Sequence, residues 1–405
     1  MHHRPSPTTR PPVRFALGQL AIATLLLAGC GGSGPDMSGT GSPVVGSSAP
    51  SFAAGTITGF GSVIVEGVRF DDSSAAVSDD DGNPGSTSDL KLGMTAEIHG
   101  GAISDDANGS HSIATAIVFG AALIGPVSAV DATARTLVIL GQTVHVLDTT
   151  VLDARLVGGF AGIAVGAVVE MHGQLDATTG AYTATRIGPS LAPAGYKIRG
   201  VVANLDTTAK TFTMGGTLIS YATVSAPADI ANGTLLSVRL QTTQVAGAWV
   251  ATHIAGKPRV DDGNVARVEG AVTAFTSTTQ FSVNGLPVDA TNAQFDKGTS
   301  GLVLGAHVDV RGTSSNGVIM ATRVTVESQQ QIHDDGFELH GTIATLDPVA
   351  KTFVLRGVTV SYADPAILFD GGSAATLAVG VQLEVRGTLS ADGTQLLAAR
   401  IEFGK

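Results

Sequence analysis

The sequence predicts an all-β protein: a tandem array of about five small β-barrels behind an export signal and a flexible tether. Three observations predict it. Val, Ile and Thr recur in short alternating runs broken by Gly, Asp, Asn and Ser, the pattern of many short strands joined by tight turns. Gly supplies 52 of 405 residues while aromatics supply 5%, a composition suited to turns and thin cores. The chain also repeats itself from one end to the other.

The first element is the leader, residues 1–29. Arg4, Arg10 and Arg14 precede an apolar run from Phe15 to Leu27 that is broken only by Gly18, Gln19 and Thr24. The run is shorter than the roughly 20 residues of a membrane span and suits a signal-peptide core. It ends in Leu27-Ala28-Gly29-Cys30, which resembles the lipobox of bacterial lipoproteins, and Cys30 is the only cysteine. The resemblance implies lipidation of Cys30, and through it a membrane anchor. No thiol then remains for a disulfide or for catalysis. Removing residues 1–29 takes away three Arg and no acid, so net charge moves from −11 to −14. An acidic exported chain argues against nucleic-acid binding, which rests on Lys and Arg neutralising phosphates. Residues 30–54 follow as lipidated Cys and tether, mostly Gly, Ser, Pro and Thr, able to reach roughly 25 Å as a coil. Gly31 at the neighbouring position favours the outer membrane as destination.

Five units are then expected at 55–120, 121–194, 195–264, 265–335 and 336–405. Gly125 to Asp131 with Ala134-Arg135-Thr136, Gly200 to Asp206 with Ala209-Lys210-Thr211, and Gly341 to Asp347 with Ala350-Lys351-Thr352 open three of them alike. Gly270 to Phe275 opens a fourth with the Asp lost, and Gly55 to Gly59 a fifth by a different route. The second half of each unit reads Gly-x-x-x-acidic-x-basic-Gly: Gly93, Glu97, His99, Gly100; Gly166, Glu170, His172, Gly173; Gly305, Asp309, Arg311, Gly312; Gly380, Glu384, Arg386, Gly387. The third copy has Gly233 but Leu240 where the closing Gly should stand, which puts its last bend in doubt. Alternate residues of a strand face opposite ways, so each acidic–basic pair shares the wet face and the residue between them fills the core. The Asp-x-x-Ala-Lys/Arg segments read as turns whose Asp bonds nearby backbone amides. The closing Gly residues read as sharp bends in small barrels.

Gly59-Phe-Gly-Ser-Val-Ile-Val-Glu-Gly-Val-Arg-Phe70-Asp71, with Asp89-Leu-Lys-Leu-Gly-Met94 and Glu97-Ile-His-Gly100, resembles the domain of unknown function 5666 (DUF5666). The later units resemble it through the Lys/Arg-Thr-Phe strand and the Gly-x-x-x-Glu-x-Arg-Gly element. The resemblance implies a barrel of oligonucleotide/oligosaccharide-binding type and no assigned activity.

Candidate sites are few. Asp79, Asp81 and Asn83 offer hard oxygen ligands around Gly82, and a weak calcium site is one reading; solvated turn residues are the other. Asp105-Asp106 and Asp261-Asp262 are similar clusters, and Asp334-Asp335 is a fourth. Tyr221 and Tyr362 stand at equivalent positions and read either as shared ligand contacts or as barrel-rim residues. His99 and His172 fill a slot that Arg311 and Arg386 fill elsewhere, which argues charge pairing. Nucleophile elbows, phosphate loops, dinucleotide fingerprints and zinc motifs are absent from the sequence, and no catalytic residue is nominated. Two function classes remain: a non-enzymatic envelope lipoprotein serving as spacer or interaction scaffold, and a lipoprotein binding carbohydrate or another small ligand. An envelope protein or polysaccharide is the expected partner.

Overall fold

A computed structural model describes residues 49–107, 109–255, 259–327 and 336–404. The leader, Cys30 and the tether up to residue 48 lie outside the described residues. No described helix is long and apolar enough to cross a membrane. Among the described residues helix is confined to short 3₁₀ turns such as Thr87–Asp89 and Gly159–Gly162.

One five-strand path builds every unit. In barrel 2, Leu123–Asp131 pairs with Thr136–Ile139, which pairs with Gln142–Leu152. That third strand runs parallel beside the last, Tyr182–Pro189. The last strand pairs with the fourth, Val168–Leu175, and the fourth returns to the first. The ring is closed. Barrel 1 follows the same path with its first strand bent into Ser51–Thr56 and Gly59–Phe60. Barrels 3, 4 and 5 follow it from first strands Tyr196–Asp206, Val265–Ser277 and Phe337–Asp347. The all-β, barrel-forming architecture is thus the one the sequence predicts.

The repeated residues explain the path. Asp131, Asp206 and Asp347 each accept two backbone amides from the residues two and three ahead, at 2.8–2.9 Å, so each first hairpin carries an Asx turn. Gly93, Gly166, Gly233, Gly305 and Gly380 all have φ between +78° and +91°, where a side chain is strained. Each donates its N–H to a first-strand carbonyl and so aims the fourth strand back across the barrel. Ladder register then shifts once at His99/Gly100, His172/Gly173, Arg311/Gly312 and Arg386/Gly387. A Cβ at Gly173, Gly312 or Gly387 would fall 2.0–2.2 Å from a carbonyl oxygen of the last strand, so only Gly permits that approach.

Leu240 does not abolish the third bend, contrary to the doubt its sequence raises. The register shifts at Arg239/Leu240 and again at Leu240/Gln244, and Leu240 is buried in the core. The second irregularity gives the side chain the room that Gly makes unnecessary elsewhere. A second correction concerns the tether. Ser51–Ala54 belong to the first strand of barrel 1, and Phe52 is fully buried against barrel 4.

The five barrels are fused. Ser51–Ala54 run parallel to Val265–Val268 of barrel 4, and Gly59–Phe60 run parallel to Glu338–Leu339 of barrel 5. Leu123 and Ile124 of barrel 2 pair with Ile198 and Lys197 of barrel 3. The cores merge accordingly: barrels 1 and 5 share one apolar cluster and barrels 2 and 3 a second, while Phe52 and Ala54 of barrel 1 enter the core of barrel 4. Between barrels 1 and 2, buried Arg186 donates to Asp153 at 2.5 Å and to the Leu92 carbonyl at 3.1 Å. Burial works to raise the Asp153 carboxyl, but hydrogen bonds from Arg155 and the charges of Arg186 and Arg155 outweigh it and hold the group at about 2. A carboxylate held below its unfolded value contributes stability that is complete above that unfolded value and is lost as pH falls through the folded one. Asp153→Asn should therefore lower the urea midpoint at pH 7, and the deficit should shrink as pH falls from about 4 through about 2, vanishing only below it. A deficit that did not change with pH would contradict this role.

Candidate functional site

The acidic turn of barrel 1 meets barrel 3. Within the turn, Asp79 Oδ1 accepts the amides of Asp81 and Asn83 at 3.0 and 2.8 Å, and the Asn83 side chain donates to Asp79 Oδ2 at 2.8 Å. The other oxygens face cations. Lys197, 1% exposed, pairs with Asp80 and lies 3.8 Å from Asp81, while Arg239 pairs with Asp81 and lies 3.6 Å from Asp79. Lys197 and Arg239 are directly opposite each other on adjacent strands, where like charges repel. The turn offsets that repulsion. Thus Asp79 and Asp81, which the sequence offers to calcium, are brought against two basic side chains, and Asn83 braces the turn by donating from its amide. Burial would raise the Asp79 carboxyl, but the Asn83 and Asp81 hydrogen bonds and the charge of Arg239 lower it overall.

Tyr221 and Tyr362 do occupy equivalent positions, but in the cores. Each is buried, with its ring 5.6 Å from Phe212 and 5.9 Å from Phe353 respectively, so neither presents a ring to a ligand. Three of the four acidic–basic pairs close as ion pairs: His172 to Glu170 at 2.8 Å, Arg311 to Asp309 at 3.2 Å and Arg386 to Glu384 at 3.0 Å. One departs from the expected wet face. His172 is 1% exposed; it stands opposite Arg186, which reaches the Leu92 carbonyl of barrel 1.

Two cavities open where barrels converge. The larger, about 330 Å³, is polar and lies among barrels 1 to 4, with Glu97, Arg199, Ser237, Arg259 and Asn284 in its wall. Burial raises the Glu97 carboxyl against the pull of Arg199 and His99. Ser237 Oγ is buried there without a hydrogen-bond partner. The smaller, about 130 Å³, is mostly apolar and lies among barrels 1, 2, 4 and 5. Glu269 and His307 stand in its wall, close to Glu327, Asp309 and the hairpin-tip Glu66 of barrel 1. Burial first, then Glu269, Asp309 and Glu327, push the Glu66 carboxyl well up.

Sequence reading misses Lys197, Glu66 and His307. Lys197 sits in an alternating strand like any solvated residue, and Glu66 precedes Gly67 like any turn residue. Only contacts between barrels distinguish them. Lys197→Ala should cost about 3 kcal/mol by urea denaturation, since it leaves a carboxylate pair facing Arg239 alone. A loss below about 0.5 kcal/mol, the range of a solvated surface residue, would show that the pair does not hold the barrels.

Comparison with curated proteins gives no match. Residues 124–188, 269–325 and 340–402 match the family model described as "Domain of unknown function (DUF5666)". The matched segments lie in barrels 2, 4 and 5. Three segments of the chain thus match the DUF5666 model, which is consistent with a tandem arrangement of that domain.

Proposed function

We propose that the chain is an envelope lipoprotein, anchored through Cys30, whose five barrels act without chemistry of their own as one rigid interaction head. The observation that carries this reading is the use made of the charged residues. Lys197 with Asp80, Arg239 with Asp81, and Arg69 with Glu338 each pair across a barrel junction. Charge spent in this way fixes one barrel against another, as a scaffold presenting a constant surface requires. The fused arrangement favours a head over an extended spacer. The leader and the Leu27-Ala28-Gly29-Cys30 tetrapeptide support export and lipid attachment, with the outer membrane as the destination. Multiple acyl chains on Cys30 would anchor the head firmly, each buried methylene contributing about 0.8 kcal/mol. An envelope protein or a polysaccharide is the partner in view.

A second reading, binding of a small polar ligand, is favoured by the cavity that contains Glu97, Arg199, Arg259 and Asn284. Its walls offer both charges and an unpaired hydroxyl, the few placed polar groups that orient a ligand.

A fatty-acid analogue fed to cells producing the full chain should label the wild type and leave Cys30→Ser unlabelled. Fractionation should then place the wild type with outer-membrane markers and Cys30→Ser in the soluble fraction. Equal labelling of both, or a soluble wild type, would remove the anchored-head reading.

A further inference from the structure

We propose that Glu269, His307 and Glu327 of barrel 4 bind one divalent transition-metal ion of the zinc class beneath the Glu66 hairpin of barrel 1. This goes beyond the interaction-head reading and does not depend on it.

Ladder register makes the grouping. His307 begins the fourth strand of barrel 4 and stands directly opposite Glu327 at the end of the fifth. On its other side it faces Ala271 of the first strand. Glu269, two residues before Ala271, shares that face. Three adjacent strands thus deliver one imidazole and two carboxylates to one spot. One donor atom from each lies within 4.8 Å of the others.

The distances argue for an ion between the groups. His307 Nε2 is 3.4 Å from Glu269 Oε1, and Nδ1 is 3.4 Å from Glu327 Oε2. A charge-assisted hydrogen bond between imidazolium and carboxylate runs at about 2.7–2.9 Å, so both contacts are too long for one. One ion takes only one ring nitrogen, so one of these separations matches the edge of about 3.4 Å in a zinc tetrahedron, while donor atoms of all three residues stay within 4.8 Å of one another.

Unmet polar groups supply an independent observation. The His307 side chain is 10% exposed, and its Nδ1 is buried with no hydrogen-bond partner. Glu66 Oε1 and Asp309 Oδ1 are buried nearby in the same condition. Asp309 finds a cation in Arg311 at 3.2 Å through its other carboxylate oxygen, Oδ2. Buried groups of this kind are costly unless something satisfies them. A dication held by His307 satisfies the ring nitrogen it binds and offsets the charge of the four carboxylates, Glu66 of the barrel-1 hairpin among them.

Donor type selects the ion. Imidazole with carboxylate suits zinc and its neighbours, whereas calcium and magnesium take oxygen ligands alone. Glu269 and His307 border the small cavity, which gives an ion a way in and leaves room for water to complete its shell.

The test uses the tag-free full chain, dialysed against a chelator and titrated with zinc by calorimetry, with metal content checked by mass spectrometry. One zinc per chain should bind, with a rise in melting temperature. His307→Gln and Glu327→Gln should each weaken binding at least about tenfold, the loss that even outer-sphere substitutions bring. Both should keep the wild-type melting temperature in chelator. Calcium at the same concentration should give no such binding. Should a variant fail to fold, cobalt(II) bound to the wild type should show visible bands of four- or five-coordinate geometry that one equivalent of zinc removes. No stoichiometric zinc on the wild type, undiminished binding by a folded His307→Gln, or only six-coordinate cobalt would overturn the site.

Discussion

The whole arrangement depends on how the first strand of each barrel uses its unpaired edge. In this path the early half of the strand pairs with the fourth strand and the late half with the second, so the early half has one free side. Such an edge invites association. Here it is spent inside the chain. Ser51–Ala54 take Val265–Val268 on that side, and Leu123 and Ile124 take Ile198 and Lys197. Glu338–Leu339 take the bent second half of the barrel-1 strand, Gly59–Phe60. Barrel 1 thereby becomes the hub to which barrels 4 and 5 attach, while barrels 2 and 3 form a pair of their own.

That pair joins the hub through apolar and neutral contacts, among them Val151 in the shared core and Thr185 on the Gly93 carbonyl, and through buried charge that is costly to arrange. Lys197 gives up nearly all its hydration, and it does so beside another cation on the next strand. Buried ion pairs barely recover their desolvation cost, so their value lies in which partner they accept. Asp79 to Asp81 fit because the Asn83 brace holds the turn with its carboxylates outward. Arg186, reaching from barrel 2 to the Leu92 carbonyl, works in the same sense with a single neutral acceptor. Chain chemistry that looks like surface decoration is thus the cement between domains. The acidic face of barrel 4 extends the theme: Glu66 from the hub approaches three carboxylates and an imidazole.

Within a barrel, nearly everything was legible in the sequence, because its causes are local. Asp131, Asp206 and Asp347 announce their turns by a spacing of a few residues. The paired Gly residues around Glu170-Met171-His172 announce a left-handed start and a close approach. The doubt that the sequence raises at Leu240 is removed by a second irregularity between Leu240 and Gln244, which no spacing reveals. Ser51–Ala54 were read as tether because one Phe after a Gly/Ser/Pro run is too little pattern to call a strand. Between barrels the sequence was nearly mute. Lys197 and Asp80 lie 117 residues apart, and strand alternation assigns Lys197 to water. His172 was placed on the wet face for the same reason: alternation says which way a side chain points, and not what another barrel brings to meet it. The calcium reading of Asp79 and Asp81 and the ligand reading of Tyr221 and Tyr362 failed to foresee the neighbours those groups meet.

The central claim is that shared edges and junction charges make five repeated barrels one cooperative body. Trp249, the chain's only tryptophan, reports on barrel 3 alone, where it packs edge-on to Tyr196 at 5.5 Å. Far-ultraviolet circular dichroism reports on all five barrels together. Urea unfolding of the full chain followed by both signals should give superimposable transitions with one midpoint, as a single cooperative unit requires. A tryptophan transition displaced from the dichroism curve, or a dichroism curve with several steps, would mean that the barrels are independent beads.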